Sequence, residues 1–313
     1  MRNRFNPFFI VNPAAGRGSL GREWPDIQNL LSKKLGPVAH RITRGPNDGE
    51  NATRSALKEG FDLIVAVGGD GTLSNCLNGF VLNDRPVNSK AALGVLPYGT
   101  GGDFARYFKI PRKPQEAAAH FTDNKTSVVD IGKVTCRDSS GKKVVRYFIN
   151  ISTAGLVGRV DYWSNRAPWI FGKKGAYVYG SVRSILEYKP APVFYSANDT
   201  RVQSTPIMIM VANGPHFGSG MRPAPKARPN DGLFDVVAVE KLSLFQMLNF
   251  FPRLYTGGHV KLPQVKSLKT QKMTMDLKNT KDVVPVETDG DTIGKLPALF
   301  EIIPKAIRFK RLG

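Results

Sequence analysis

Apolar and polar positions follow two rhythms along the chain. Residues 7–11 (PFFIV) form a near-continuous apolar run, the pattern of a buried strand, and lead into the loop Asn12-Pro13-Ala14-Ala15-Gly16-Arg17-Gly18. Trp24, Ile27, Leu30, Leu31 and Leu35 then recur at helical spacing until Gly36-Pro37 stops them. A short apolar segment ends at Thr43, a helix is predicted over Asn51 to Lys58 with Gly60 as its stop, and FDLIVAV (61–67) is a strong strand. TLSNCLNGFVL reads as a helix and AALGVLP (91–97) as another strand. The loop Tyr98-Gly99-Thr100-Gly101-Gly102-Asp103 opens a helix at Phe104 to Phe108. Strands alternating with helices predict a parallel sheet covered on both faces, whose ligands bind at the carboxyl ends of the strands. All three glycine-bearing loops fall there.

After about residue 126 the period shortens. SVVDIGKVTC and KVVRYFINIS flank Asp138-Ser139-Ser140-Gly141, a hairpin signature. APVFYSA, PIMIMVANG, GLFDVVAVE, KMTMDL and DVVPVET are short, β-rich and punctuated by turn residues. This half reads as an antiparallel sandwich or open barrel with helical insertions near 166–188 and 243–255. The predicted division is an α/β domain over 1–126 and a β-rich domain over 127–296. The last strands, ALFEIIP and AIRFKRL, suit either half, so residues 297–313 are candidates to complete the first.

The 313-residue length is enough for two domains, and 41% hydrophobic residues with 10% aromatics mark a globular chain. No apolar run approaches the ~18 residues of a membrane span. FFIV near the start is shorter than a secretory apolar segment of ~7 residues and is read as a first strand. Cys76 and Cys136 have neither disulfide-framework nor zinc spacing, which points to a reducing cytoplasm. The outlying quantity is charge: 45 Lys plus Arg against 25 Asp plus Glu, formally +20. Such a surface suits an anionic partner, whether membrane, nucleic acid or a phosphate-rich ligand, or serves solubility alone.

Glycine pairs at strand-to-helix turns let backbone N–H groups approach phosphate oxygens, although a single such loop can be only a tight turn. VGGDGT (67–72) fits neither the dinucleotide fingerprint nor the P-loop. Taken together, VNPAAGRG, VGGDGTLSNCLNG, LPYGTGGDFAR and ETDGD, in this order and spacing, resemble the diacylglycerol kinase catalytic-domain family, which includes soluble bacterial lipid kinases and sphingosine and ceramide kinases. HFGSGMRPAPKARPNDGLFDVV extends the resemblance into the second half. GGDGT alone is shared with NAD kinases; GTGGDFAR and the late DGD separate this chain from them.

The resemblance implies a Rossmann-like, NAD kinase-like first domain, a β-sandwich second domain, and ATP bound in the cleft between them with Mg²⁺. Asn12, Thr43, Gly68, Gly69, Asp70, Gly71, Thr72 and Thr100 would line the nucleotide site. Asp70 would organise the catalytic magnesium, with a helix cap as its alternative role. In the family the late motif reads DGE, and the acid after the glycine takes the proton of the lipid hydroxyl. Asp291 inherits that role, one methylene shorter, and Asp289 remains a rival; a plain polar turn is the third reading. Gly102 stands where the family commonly has Asn, and Asp103 is retained. Asp231, with the carbonyls of Arg228 and Leu233, resembles the family's structural magnesium site, while NDG by itself also reads as a β-turn.

Finally, residues 161–189 interleave Trp163, Trp169, Phe171, Tyr177 and Tyr179 with Arg166, Lys173, Lys174 and Arg183, and Arg159 lies just upstream. That mixture suits a lipid headgroup layer and ranks lipid above nucleic acid, with a packed amphipathic helix as the alternative. The expectation is an ATP- and Mg²⁺-dependent kinase of a membrane lipid hydroxyl, diacylglycerol first, cytoplasmic and peripherally bound to anionic membrane. Rivals are a sphingoid, ceramide or NAD-type acceptor, or an inactive nucleic-acid or membrane binder. Oligomeric state is left open.

Overall fold

Strands β1 (Pro7–Val11), β2 (Ala39–Ile42), β3 (Leu63–Gly68) and β4 (Ala92–Pro97) pair in parallel in the order β2-β1-β3-β4. The computed structural model describes residues 5–99, 102–156, 163, 166–168, 172–218 and 220–311. Period-two alternation assigns the faces of this sheet. Phe9, Val11, Val65 and Val67 pack with Leu20, Trp24 and Leu31 of helix α1 (Ser19–Leu35) and with Ala117 of α5 (Pro114–His120). Ile10, Ile64 and Ala66 face the other way, onto α2 (Asp48–Lys58) and α3 (Asp70–Phe80), through Ala52, Leu57, Leu73 and Leu77. Each large side chain buried this way contributes roughly 1.5–3 kcal/mol. The helices therefore cover both faces, as the continuous apolar strands require.

Helix α2 begins at Asp48, ahead of the expected Asn51, because the Asp48 carboxylate receives the Arg44 N–H and the Arg41 guanidinium and fixes the turn before it. The predicted helix after the third glycine loop is α4 (Asp103–Tyr107). Helix α5 escaped the sequence reading, being too short to show a period.

The second half is built from antiparallel strands. β5 (Thr126–Arg137) and β6 (Lys143–Phe148) form the expected hairpin, its turn held by the Asp138 carboxylate, which accepts from Ser140 Oγ and the Lys142 N–H. β7 (Ile151–Gly155), β8 (Val193–Ala197), β9 (Thr200–Ser204), β10 (Met208–Ala212), β11 (Phe234–Val239), β12 (Val265–Thr270), β13 (Lys272–Leu277), β14 (Pro285–Thr288) and β15 (Asp291–Lys310) complete it. One layer runs β12-β11-β10-β7-β14, and the other joins β9-β8-β13 to β15 and β5. Their inner faces share a core that includes Val211, Met275 and Phe300, with the Phe148 and Phe234 rings stacked 5.6 Å apart. Helix α7 (Leu244–Thr256) covers the outer face through Met247, Phe250 and Leu254. Helix α6 (Gly172–Glu187) is the other insertion.

The two strands expected at the end are one. β15 continues from the sandwich into the first domain, where Arg308 and Phe309 pair in parallel with Ala92 and Leu93. A register shift between Ile303 and Ile307, with Lys305 at φ 52°, absorbs Pro304 without ending the strand. β5 follows β15 along its whole length, so both halves share backbone hydrogen bonds. No helix among the described residues is long and apolar enough to cross a membrane.

Candidate active site

The three glycine loops converge at the carboxyl edge of the parallel strands. The Asn12 N–H donates to Val67 O, its Oδ1 accepts the Ala14 N–H, and its Nδ2 donates to Thr72 Oγ1 at 3.1 Å. Thr43 closes β2 onto β1, its N–H and hydroxyl both donating to Val11 O. Asn12, Thr43 and Thr72 line one cavity of about 360 Å³ with Ala14, Arg44, Gly49 and Asn75. Tyr98 lies over Gly16, φ 62°, where an added Cβ would sit 2.6 Å from the ring, and its hydroxyl meets Ser19 Oγ at 2.9 Å.

The glycines of VGGDGT divide in role. Gly68 is at φ 155° with the Thr72 side chain against the place of a Cβ, so its need is internal. Gly69 and Gly71 have nothing within 4 Å of that place. They leave an open backbone cradle at the N-terminus of α3, the geometry that admits phosphate oxygens.

Asp70 accepts three consecutive N–H groups, from Gly102 at 2.7 Å, Asp103 at 3.1 Å and Phe104 at 3.3 Å. It thus caps α4, not the helix it begins, and ties the second glycine loop to the third. Gly102 has φ 87°, where any side chain carries backbone strain, and a Cβ there would lie an ordinary 3.4 Å from Pro97, so an Asn would meet strain rather than a clash. Thr100 lies outside the described residues.

Asp289 repeats the Asp70 arrangement from the second domain. Asp289 and Gly290, at φ 49° and 98°, are the two central residues of the β14–β15 hairpin, a type I′ turn for which Asp-Gly is favoured. The Asp289 carboxylate accepts the N–H groups of Ile149, Asn150 and Ile151 at 3.0, 3.0 and 3.1 Å. Burial pushes its carboxyl up to about 7; the three amides offset part of that, and the charge of Asp70 adds to it. The effect of Asp70 places the two carboxylates within electrostatic range across the domain junction.

Asp291 differs: it is exposed, and its carboxylate makes no hydrogen bond or ion pair among the described residues. Surrounding protein strips enough hydration to push its carboxyl up, and Arg146 partly offsets this. Arg146 bridges to Glu50 of α2 at 2.8 Å, so Asp291 stands where the two domains meet.

The Asp231 carboxylate receives Lys269 Nζ at 2.8 Å on one oxygen and the Leu233 N–H at 3.2 Å on the other. Lys269 also pairs with Asp235 at 3.2 Å. An ammonium therefore faces the carboxylate that the resemblance gives to a structural cation, with the backbone of Arg228 in the preceding loop. No cluster of three or more His, Cys, Asp or Glu side chains suited to a metal occurs among the described residues. Magnesium at phosphate sites uses one or two carboxylates plus substrate oxygens. Asp70 fits that habit, because three N–H donors leave about one of its four lone-pair sites open.

Asp130, in the middle of β5, is wholly buried and was missed. It accepts the N–H groups of Gly232 at 2.7 Å and Lys305 at 2.6 Å, while its own N–H donates to Pro229 O. It thus ties the 229–232 loop to the long strand. The signal was present: an acid inside the apolar run SVVDIGKV has to be partnered. The aromatic-basic segment is engaged internally where described. Trp163 Nε1 donates to Glu187 at 3.0 Å, Arg183 lies 4.6 Å from the Trp163 ring and pairs with Glu187 at 2.8 Å. Arg159, Trp169 and Phe171, and the side chains of Lys173, Lys174 and Tyr177, lie outside what the structure describes.

Residues 6–134 match the diacylglycerol kinase catalytic domain, and residues 150–311 match the YegS C-terminal NAD kinase beta sandwich-like domain. A diacylglycerol kinase of Mycobacterium tuberculosis is 26% identical over 304 residues, 96% of this chain and 94% of its own length. One of Staphylococcus epidermidis is 29% identical over 292 residues, 93% of this chain and 87% of its own. In fold, the chain matches a Bacillus anthracis crystal structure assigned as a diacylglycerol kinase, with TM-score 0.77 and 24% identity over 99% of this chain and 96% of that one. Yeast NADH kinase complexed with NADH follows at TM-score 0.52 and 12% identity, covering 100% and 84%. With both domains matched in order by a mixed α/β unit and a mostly-β sandwich, the chain belongs to the diacylglycerol kinase-like superfamily of bacterial soluble lipid kinases.

Proposed function

We propose that this chain transfers the γ-phosphoryl group of ATP, with Mg²⁺, to the hydroxyl of a membrane lipid, diacylglycerol first, in the cleft between its two domains. The observation that carries the reading is the contrast among three acids. Asp70 and Asp289 each bind three backbone amides, whereas the Asp291 carboxylate at the domain junction has no hydrogen-bond or ion-pair partner among the described residues.

The nucleotide sits with its base and sugar in the cavity of Asn12, Thr43 and Thr72, and its phosphates over Gly69 and Gly71. Amides at the start of α3 then face the transferring oxygens, preorganised and needing no rearrangement as charge develops. Asp70 would hold the magnesium, which would neutralise charge on the phosphates. Asp291 accepts the hydroxyl proton, its raised pKa bringing it closer to that task. Asp289 positions the 149–151 segment beside it. A magnesium at Asp231 with the carbonyls of Arg228 and Leu233 requires Lys269 to swing away.

The family match supports the reaction class, and the curated relatives' name supports diacylglycerol. The +20 charge supports peripheral binding to an anionic membrane, and the two free cysteines support a cytoplasmic location. Incubating the purified protein with labelled ATP, Mg²⁺ and a total lipid extract tests the reading. One labelled lipid comigrating with phosphatidic acid is expected; no labelled lipid would contradict it.

A further inference from the structure

A cavity of about 580 Å³ opens between α2 and α3 of the first domain and β5, β6 and β15 of the second. It shares no lining residue with the cavity of Asn12, Thr43 and Thr72, and Asp70, Asp289 and Asp291 do not line it. A second space of about 280 Å³ shares Thr135, Lys143 and Leu299 with it and reaches Pro297 and Ala298, so the two form one groove. Its walls are built in advance. Asn78 Nδ2 donates to Tyr147 O at 2.9 Å, Asn78 Oδ1 accepts the Tyr147 N–H at 3.0 Å, and the Tyr147 hydroxyl donates to Asp84 at 2.9 Å.

The lining carries more positive charge than its own acids balance. Arg54, Lys133, Lys143 and Arg146 face Glu50, Asp84 and Glu301. Glu301 lies 3.4 Å from Lys272, which is outside the cavity, so Glu50 and Asp84 are left for four cations. Two guanidiniums share Glu50, Arg54 at 3.1 Å and Arg146 at 2.8 Å, while Lys133 takes Asp84 at 2.7 Å. The Lys143 ammonium is exposed and has no hydrogen-bond or ion-pair partner among the described residues.

Apolar surface stands beside that charge. Val145, Thr135 and Leu299 are neighbours across β6, β5 and β15, and period-two alternation puts Lys143 on the Val145 side of β6 and Lys133 on the Thr135 side of β5. Leu82 and Val145 line the cavity yet remain 52% and 41% exposed. An apolar row bordered by cations selects a ligand with both characters. A free inorganic anion would leave Leu82 and Val145 wetted, and a neutral amphiphile would leave Lys143 unmatched.

The cavity also falls in the range of about 300–1,000 Å³ common to small-molecule sites. We propose that this groove binds a single-chain anionic amphiphile, its head among the cations and its chain against Leu82, Val145 and Leu299, as a site separate from the catalytic cleft. The inference stands independently of the kinase reading, because binding alone tests it.

The experiment is calorimetric titration of the full chain with octyl phosphate below its micellar concentration, with inorganic phosphate and octyl glucoside in parallel. Octyl phosphate should bind at least about tenfold more tightly than either control. Lys143→Glu and Val145→Asp should each weaken it at least about tenfold at an unchanged melting temperature. Should Val145→Asp melt lower, Leu82→Asn reads the same comparison. Saturating ADP should leave the affinity for octyl phosphate as it was. Undiminished binding to Lys143→Glu, or inorganic phosphate binding as tightly as octyl phosphate, would overturn the site. Displacement of octyl phosphate by ADP would put the anion in the nucleotide cradle and overturn it as well.

Discussion

Asp289 and Asp291 sit two residues apart on one hairpin, the first bound by three amides and the second proposed as the proton acceptor. Asp291→Asn should lower kcat by about a hundredfold or more with little change in the KM for ATP, as expected for loss of a general base. A comparable loss in ATP affinity would place Asp291 in the nucleotide site instead. Asp289→Asn should show itself in stability. A carboxyl raised in the folded state binds more protons folded than unfolded between its ordinary value near 4 and about 7. Its contribution therefore falls as pH rises through that window and is flat above it. Melting temperatures of wild type and Asp289→Asn from pH 4.5 to 7.5 should differ in slope in that direction; parallel curves would show that Asp289 is not raised. These roles were only half legible in the sequence. DGD marks an acidic turn, but which acid is bound by amides depends on residues 149–151, nearly 140 positions away.

At the scale of elements, the glycine loops act as hinges between strands and helix N-termini. Gly68→Ala should destabilise by roughly 1–3 kcal/mol, because the new methyl meets Thr72 at the start of α3. Gly71→Ala should leave the melting temperature unchanged or higher, since the space is open and alanine favours helix, while raising the KM for ATP. Equal melting temperatures for the two variants would contradict the division of roles. The parallel strands and their loops were legible because a continuous apolar run followed by glycine is a local signal. The merging of ALFEIIP and AIRFKRL was not, since it depends on Asp130 and the Lys305 backbone closing a bulge across two distant strands.

For the whole molecule, β5 and β15 run through both domains, so the two halves are joined by shared backbone hydrogen bonds. The Lys269 ammonium already balances the Asp231 carboxylate, so the second domain's stability is expected not to require a cation there. Chelator should leave the wild-type melting temperature unchanged, and Lys269→Met should melt higher with Mg²⁺ than with chelator. A wild type that loses stability in chelator would restore the family's structural magnesium. The net charge of +20 predicts that activity on anionic vesicles declines as screening shortens from about 10 Å at 0.1 M salt to about 3 Å at 1 M. The central claim is phosphoryl transfer to a lipid hydroxyl with Asp291 as proton acceptor. The most direct measurement is labelled-ATP transfer to diacylglycerol in anionic vesicles by wild type and Asp291→Asn side by side. Labelled phosphatidic acid from the wild type, with at least about a hundredfold less from the variant, is the predicted result; equal product from both, or none from the wild type, would contradict it.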